Sequence, residues 1–146
     1  MSTLIVNQTI NSYIFVGEKK VQMPAEFSIK SRLRSFVYAI KGIKLAFITQ
    51  HNFQIHICLA IVALLLGLLL KISLLEWVSI IIVIGIVLTT ELLNTAIELL
   101  VDHVSPERNK TAGIIKDLAA GAVLLSAIAA LLVGAIIFLP KIINLI

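Results

Sequence analysis

The chain has 146 residues, 60% of them hydrophobic and only 14% charged, with a formal net charge of +4. Soluble domains carry roughly 25% charged residues, so this composition argues against a soluble globular protein. Nothing in the sequence resembles a base-reading module, so the positive charge does not point to nucleic acid, and the single cysteine, Cys58, rules out an internal disulfide.

Residues 1–27 mix Asn, Gln, Ser, Glu and Lys with scattered Ile and Val. They lack the continuous apolar core of a signal peptide and are expected to form an uncleaved, loosely ordered extension. From about 28 to 47, Ile29, Leu33, Phe36, Val37, Ile40 and Phe47 recur at helical spacing, with Lys30, Arg34, Tyr38, Lys41 and Lys44 largely elsewhere around the helix. This pattern predicts an amphipathic helix lying on a bilayer surface.

Three apolar stretches follow, at about 53–70, 77–100 and 114–139, each near the ~20 residues a helix needs to cross hydrocarbon. The first is the shortest and carries His56; length alone leaves a re-entrant helix open, and a full crossing is expected. Lys71, Ser73 and Glu76, with Trp77 as an interface anchor, form a short turn after it. Ser105-Pro106 interrupts the second span, and Glu107, Arg108, Asn109, Lys110 and Thr111 make a polar connection to the third. In the third, Ala122, Ser126, Ala130 and Gly134 fall every four residues, a smooth strip suited to close helix approach and expected to support self-association. The expected fold is all-α: three transmembrane helices plus the surface helix, in a single domain at 28–146. Of the twelve Lys and Arg, ten fall on the side holding the N-terminus and the 105–113 connection, and only Lys71 and Lys141 on the other. The basic side should therefore be cytoplasmic.

Chemistry concentrates in the second span. A carboxylate in hydrocarbon costs about 2.5–3.5 kcal/mol on insertion scales, so carboxylates there normally mark function. At 100° per residue, Glu91, Asn94, Glu98 and Asp102 lie within roughly 80° of one another, and the stripe rises about 16 Å to the cytoplasmic mouth, where Lys116 and Asp117 open the third span. Such a stripe offers oxygen ligands for a hard cation, a lysine for phosphate charge and a deeper carboxylate near the head groups. It suits phosphoryl transfer without a Walker loop or a protein-kinase glycine loop, and neither occurs. It equally suits a small proton-coupled transporter working through Glu91; Asn94 could serve only as interhelical glue, and Asp102 and Lys116 as solvated helix-end charges. His51 and His56, five apart with no third ligand nearby, make a poor metal site. Spacing alone does not separate kinase from transporter, or either from a catalytically silent assembly subunit.

The run from Glu91 through Asn94 to Glu98 and Asp102, followed by Lys116-Asp117-Leu118-Ala119-Ala120-Gly121, resembles the small bacterial diacylglycerol kinase and undecaprenol kinase family over about residues 30–140. The resemblance implies an integral lipid kinase of the bacterial inner membrane. Such an enzyme assembles as a homotrimer with active sites between subunits and uses ATP and Mg²⁺ to phosphorylate a membrane lipid. It implies Glu91 as the base for the lipid hydroxyl, Glu98 as a ligand of the metal-nucleotide, and functional roles for Asn94, Lys116 and Asp117. Arg32, Tyr38 and Lys44 match surface-helix contacts, Arg32 and Tyr38 to nucleotide and Lys44 with Asn94 to lipid; Glu107, Arg108 and Asn109 match a nucleotide-side loop. One departure is Gln50, where many relatives place a metal-binding glutamate. A neutral amide binds Mg²⁺ without the anionic attraction, which implies weaker metal-nucleotide binding and possible impairment. The His51–His56 stretch together with Ser105-Pro106-Glu107 looks more like the undecaprenol kinase branch.

Overall fold

The computed structural model describes residues 13–16, 19–22, 28–107 and 109–145. It comprises two compact units, Met1–Ala39 and Ile40–Ile146. In the first, strands β1 (Tyr13–Val16) and β2 (Lys19–Gln22) pair antiparallel, with Tyr13 opposite Gln22 and Val16 opposite Lys19. This hairpin is what is described of the 1–27 extension, whose other residues lie outside the described ones.

Helix α1 (Ile29–Thr49) begins in the first unit, where Ser31 N–H reaches the Ser28 hydroxyl at 3.5 Å, and ends in the second. Its apolar residues, Leu33, Phe36, Val37 and Ile40 among them, stay exposed, as a helix face meant for lipid requires. The chain then turns at one extended residue, Gln50 (φ −109°, ψ 109°), into helix α2 (His51–Leu69). The last carbonyls of a helix have no intrahelical partner. At this elbow the Gln54 amide donates to the Phe47 carbonyl at 2.8 Å, and Ala46 and Phe53 are buried beside it.

Helix α2 closes in a Schellman turn. Lys71 sits in the left-handed region (φ 48°), its N–H bonds to Leu68 O, and Ile72 N–H bonds to Gly67 O. Gly67 leaves space that Ile72 and the Trp77 ring occupy; a Cβ there would lie 2.8 Å from Trp77 Cη2. Helix α3 (Leu74–Val104) starts immediately, with a capping box in which Ser73 N–H donates to Glu76 Oε2 at 2.6 Å and Glu76 N–H to Ser73 Oγ. Helix α4 (Lys110–Ile143) is capped by Asn109, whose Oδ1 accepts from Thr111 N–H at 2.9 Å.

The three long apolar helices are the three candidate spans. Each starts earlier than its apolar run alone suggests, and α3 and α4 also end later. Caps and polar contacts extend α3 to Leu74 and Val104, and α4 to Lys110 and Ile143, beyond the hydrocarbon-length cores at 77–100 and 114–139.

Three polar contacts join α3 to α4, which run antiparallel. Lys141 Nζ lies 3.2 Å from Glu76 Oε2, Thr90 Oγ1 lies 3.0 Å from Ser126 Oγ, and Lys116 Nζ lies 2.5 Å from Asp102 Oδ1. Going from Glu76 to Thr90 is 14 residues while Lys141 back to Ser126 is 15; Thr90 to Asp102 is 12 while Ser126 to Lys116 is 10. The two helices therefore keep one register over about 39 Å at 1.5 Å per residue. Ile72, Ile80, Ile137 and Phe138 form a small core at the Glu76 end, against Trp77 and Leu66.

Substituting Gly67→Ala should lower the thermal midpoint in detergent, since forcing a methyl into the Trp77 contact costs about 1–3 kcal/mol. Gly85→Ala, where a Cβ meets nothing within 4 Å, should leave the midpoint unchanged or raise it. Equal behaviour of the two variants would contradict the packing described.

Candidate functional site

The site is built on the middle of α3. Glu91 is 2% exposed, and Asn94 and Thr95 are buried with it. The Asn94 amide nitrogen donates to Glu98 Oε1 at 3.0 Å, one turn further along. That bond uses the donor end of the amide and leaves Asn94 Oδ1 without a partner, and Glu91 Oε2 is likewise buried and unpaired. Each orphaned buried acceptor costs about 1–3 kcal/mol. Two such acceptors stand within one helical turn of each other, and each could take a hydrogen bond from a hydroxyl. His56 of α2 and Glu98 are the ionisable groups whose fields act on Glu91.

Towards the α3 C-terminus, Asp102 and Lys116 pair across the two helices, with 64% and 35% of their side chains exposed. So exposed a pair contributes at most about 1 kcal/mol, which leaves its charges available to a ligand. Beside it opens a cleft of about 430 Å³ whose polar lining is Asp102, Ser105, Glu107, Asn109, Lys110 and Lys116. Glu107 and Asn109, expected on the nucleotide side, thus share one cleft with Lys116. Asp117 is exposed and lies 100° further round the helix from Lys116. Arg108 lies outside the described residues.

On the other side of Glu91, an apolar cavity of about 460 Å³ lies between the three long helices, with His56, Val87, Leu88, Ala130, Gly134 and Phe138 in its wall. The small-residue strip of α4 is therefore used largely within the chain. Ser126 bonds to Thr90, and Ala130 and Gly134 face the cavity; Ala122 is exposed. Helices held by dispersion need small residues wherever their backbones approach, whether the neighbour is the same chain or another.

Gln50 sits at the α1–α2 elbow, and its amide nitrogen donates to the Thr49 hydroxyl at 3.3 Å, so the oxygen is the end that remains for a cation. Lys44 is exposed on α1. Arg32 and Tyr38 belong to the Met1–Ala39 unit. Among the described residues no group of three or more His, Cys, Asp or Glu could hold a metal ion. Mg²⁺ needs no such cluster when phosphate oxygens complete its shell, and a carboxylate such as Glu98 or an amide oxygen such as that of Gln50 is a ligand of the hard type it takes.

The sequence does not single out Thr90 or Gln54, and it shows Ser126 only as part of the small-residue strip and Lys110 only as part of the polar connection. Thr90, Ser126 and Gln54 make hydrogen bonds between elements, which no periodicity reports.

The prokaryotic diacylglycerol kinase family matches residues 37–138 of this chain. An undecaprenol kinase of Bacillus subtilis is 43% identical over 108 residues, covering 74% of this chain and 88% of that protein. A diacylglycerol kinase of Synechocystis sp. is 41% identical over 114 residues, covering 77% of this chain and 65% of that one.

Because Glu91 is buried without a full set of partners, Glu91→Leu should raise the thermal midpoint, by about 1–3 kcal/mol in stability, as removal of an orphaned polar group predicts. A lower midpoint would show that the carboxyl holds the helices together.

Proposed function

The chain belongs to the prokaryotic diacylglycerol kinase family and is a membrane lipid kinase, and from that premise we propose that it transfers the γ-phosphoryl group of ATP to the hydroxyl of its lipid at the Glu91–Glu98 stripe. The observation that carries the assignment to these residues is the pair of buried, unpartnered acceptors, Glu91 Oε2 and Asn94 Oδ1. Glu91 Oε2 is suited to take the proton of an attacking hydroxyl, and Asn94, through its bond to Glu98, to fix the carboxylate one turn away.

In this reading the lipid oxygen forms a bond to the γ-phosphorus while the bond to the bridging oxygen of ADP breaks, and the hydroxyl proton passes to Glu91. Glu98, assisted by Gln50, would hold Mg²⁺, which would supply neutralisation of phosphate charge, and Asn94 orients the Glu98 carboxylate through its amide. Lys116 offsets charge on the transferring group, with Asp102 keeping its ammonium at the mouth. Asp117, Glu107, Arg108 and Asn109, with Arg32 and Tyr38, hold the nucleotide, and Lys44 meets the lipid at the interface. The apolar cavity on one side of Glu91 and the charged cleft on the other support a site fed by lipid from the bilayer and by nucleotide from water.

Between diacylglycerol and undecaprenol, the coverage and identity of the Bacillus relative favour undecaprenol. A trimer of these chains is supported by how little each encloses: α2, α3 and α4 keep most of their side chains on the outside of the chain. The cytoplasmic placement of the charged mouth rests on the excess of basic residues on that side.

Purified protein reconstituted in vesicles with undecaprenol or diacylglycerol should yield radiolabelled lipid from γ-labelled ATP and Mg²⁺. Glu91→Gln should lower kcat by about 10²–10⁴-fold, the usual contribution of a positioned base. Glu98→Gln should act chiefly by raising the Mg²⁺ requirement. Product formation equal to wild type in both variants would overturn the assignment. Gln50→Glu should strengthen apparent Mg²⁺ affinity, read as a leftward shift of the magnesium titration; an unchanged titration would remove Gln50 from the metal site.

A further inference from the structure

We propose that the Thr90–Ser126 hydroxyl pair is a positioning device for the reaction: it locks α3 against α4 one residue from Glu91 and so fixes the direction in which the Glu91 carboxyl points. The inference rests on the assignment of Glu91 as the base.

Four oxygen contacts surround the pair. Thr90 Oγ1 lies 2.5 Å from Ile86 O and 3.1 Å from Val87 O, Ser126 Oγ lies 2.8 Å from Val123 O, and the two hydroxyl oxygens are 3.0 Å apart. Two hydroxyls carry only two protons, so these contacts cannot all be hydrogen bonds at once. If both hydroxyls gave their protons to their own helix carbonyls, two lone-pair oxygens would face each other in a low-dielectric interior. Two arrangements avoid this: Ser126 donates to Thr90 and Thr90 to Ile86, or Thr90 donates to Ser126 and Ser126 to Val123. In either, a chain of two hydrogen bonds crosses between α3 and α4 and ends on a backbone carbonyl.

The pair occupies a place where such a bond matters. Ser126 is buried and Thr90 is half-buried. The other two α3–α4 contacts, at Glu76 and Asp102, are ion pairs at the helix ends, 14 and 12 residues away. Successive residues on a helix are 100° apart. With Thr90 held against α4, Glu91 is set on the neighbouring face, beside Asn94 and Glu98. A rotation of α3 by a few tens of degrees, which the partly exposed end pairs would tolerate, would turn Glu91 Oε2 and Asn94 Oδ1 away from the direction they now face. Neither hydroxyl is proposed to touch the substrate, so both are positioning residues and not catalytic ones.

The test is a double-mutant cycle on the reconstituted full chain, with kcat and KM for Mg²⁺-ATP measured for Ser126→Ala, Thr90→Val, the double variant, Thr90→Ser and the control Ser79→Ala, whose hydroxyl bonds only within α3. Each single variant should lose about tenfold in kcat with KM unchanged, as displacement of a catalytic group predicts. The double variant should lose no more than either single one, because both remove the same bond. Thr90→Ser should retain wild-type kcat, and Ser79→Ala should match wild type. Unchanged kcat in the single variants, additive losses in the double, or KM rising with kcat loss would overturn the proposal. Wild-type protein inactive on both lipids would overturn it together with the functional reading, whereas an active enzyme indifferent to these hydroxyls would overturn it alone.

Discussion

The constraint on which this molecule depends is that lipid supplies no hydrophobic force between helices, so the arrangement of α3 and α4 has to come from close packing and from polar bonds made where water is absent. The chain meets it with three polar contacts at three depths, all in one antiparallel register. The end contacts are ion pairs between partly exposed side chains and contribute little individually. The middle contact is neutral, short-ranged and directional. Together they make a stiff two-helix frame, to which α2 adds a third wall through the Gly67–Ile72–Trp77 junction. A frame of this kind is necessary before a carboxyl can sit unpaired in the interior, because an orphaned acceptor would otherwise rotate or drift until it found a donor.

The functional residues run against stability in a consistent direction. The chain caps α3 and α4 through Ser73, Glu76 and Asn109, and at the elbow it satisfies a carbonyl of α1 through Gln54. Economy of this sort makes the two exceptions among the described residues, Glu91 Oε2 and Asn94 Oδ1, more informative than they would be in a loosely satisfied structure. Asn94 also shows how the exception is maintained. By donating to Glu98 it orients that carboxylate and leaves its own oxygen buried and unpaired, so one hydrogen bond sets two acceptors.

Much of this was legible from sequence, for physical reasons that also mark the limit. Hydrocarbon length and the period of an α-helix are strong constraints, so the three spans, the amphipathic α1 and the Glu91–Asn94–Glu98 stripe follow from the residues themselves. The same periodicity is blind to what lies between elements. It puts Ser126 on a smooth strip suited to close helix approach, and does not report that its hydroxyl meets Thr90 inside the chain. Asn109 was chosen for a nucleotide-side role, and its side-chain oxygen is also occupied by the α4 cap, so the amide nitrogen is the end it can offer to a ligand. Helix ends were underestimated because an apolar run stops at the first charge, while a helix continues as long as its end groups are capped. The β1–β2 hairpin was passed over because two four-residue runs are too short for alternation to stand out against a polar background.

A lipid kinase has to bring together a substrate soluble only in hydrocarbon and one soluble only in water, and a site lying wholly in either phase would exclude one of them. The geometry of α3 answers this through distance. From Glu91 to Asp102 the helix rises about 16 Å, which passes from the edge of an apolar cavity to a charged cleft while keeping the polar side chains on one face. Glu98 stands between, a little over halfway along, bonded to Asn94 on the deep side. Placing the metal-nucleotide at Glu98 and the lipid hydroxyl at Glu91 separates the two carboxylates by two helical turns, about 10 Å at 1.5 Å per residue. That is too far for both to touch one phosphorus, and about the span of a triphosphate bound at one end and attacked at the other. The carboxylates therefore need not share a ligand; they need a fixed separation, which a continuous helix held in register by α4 provides.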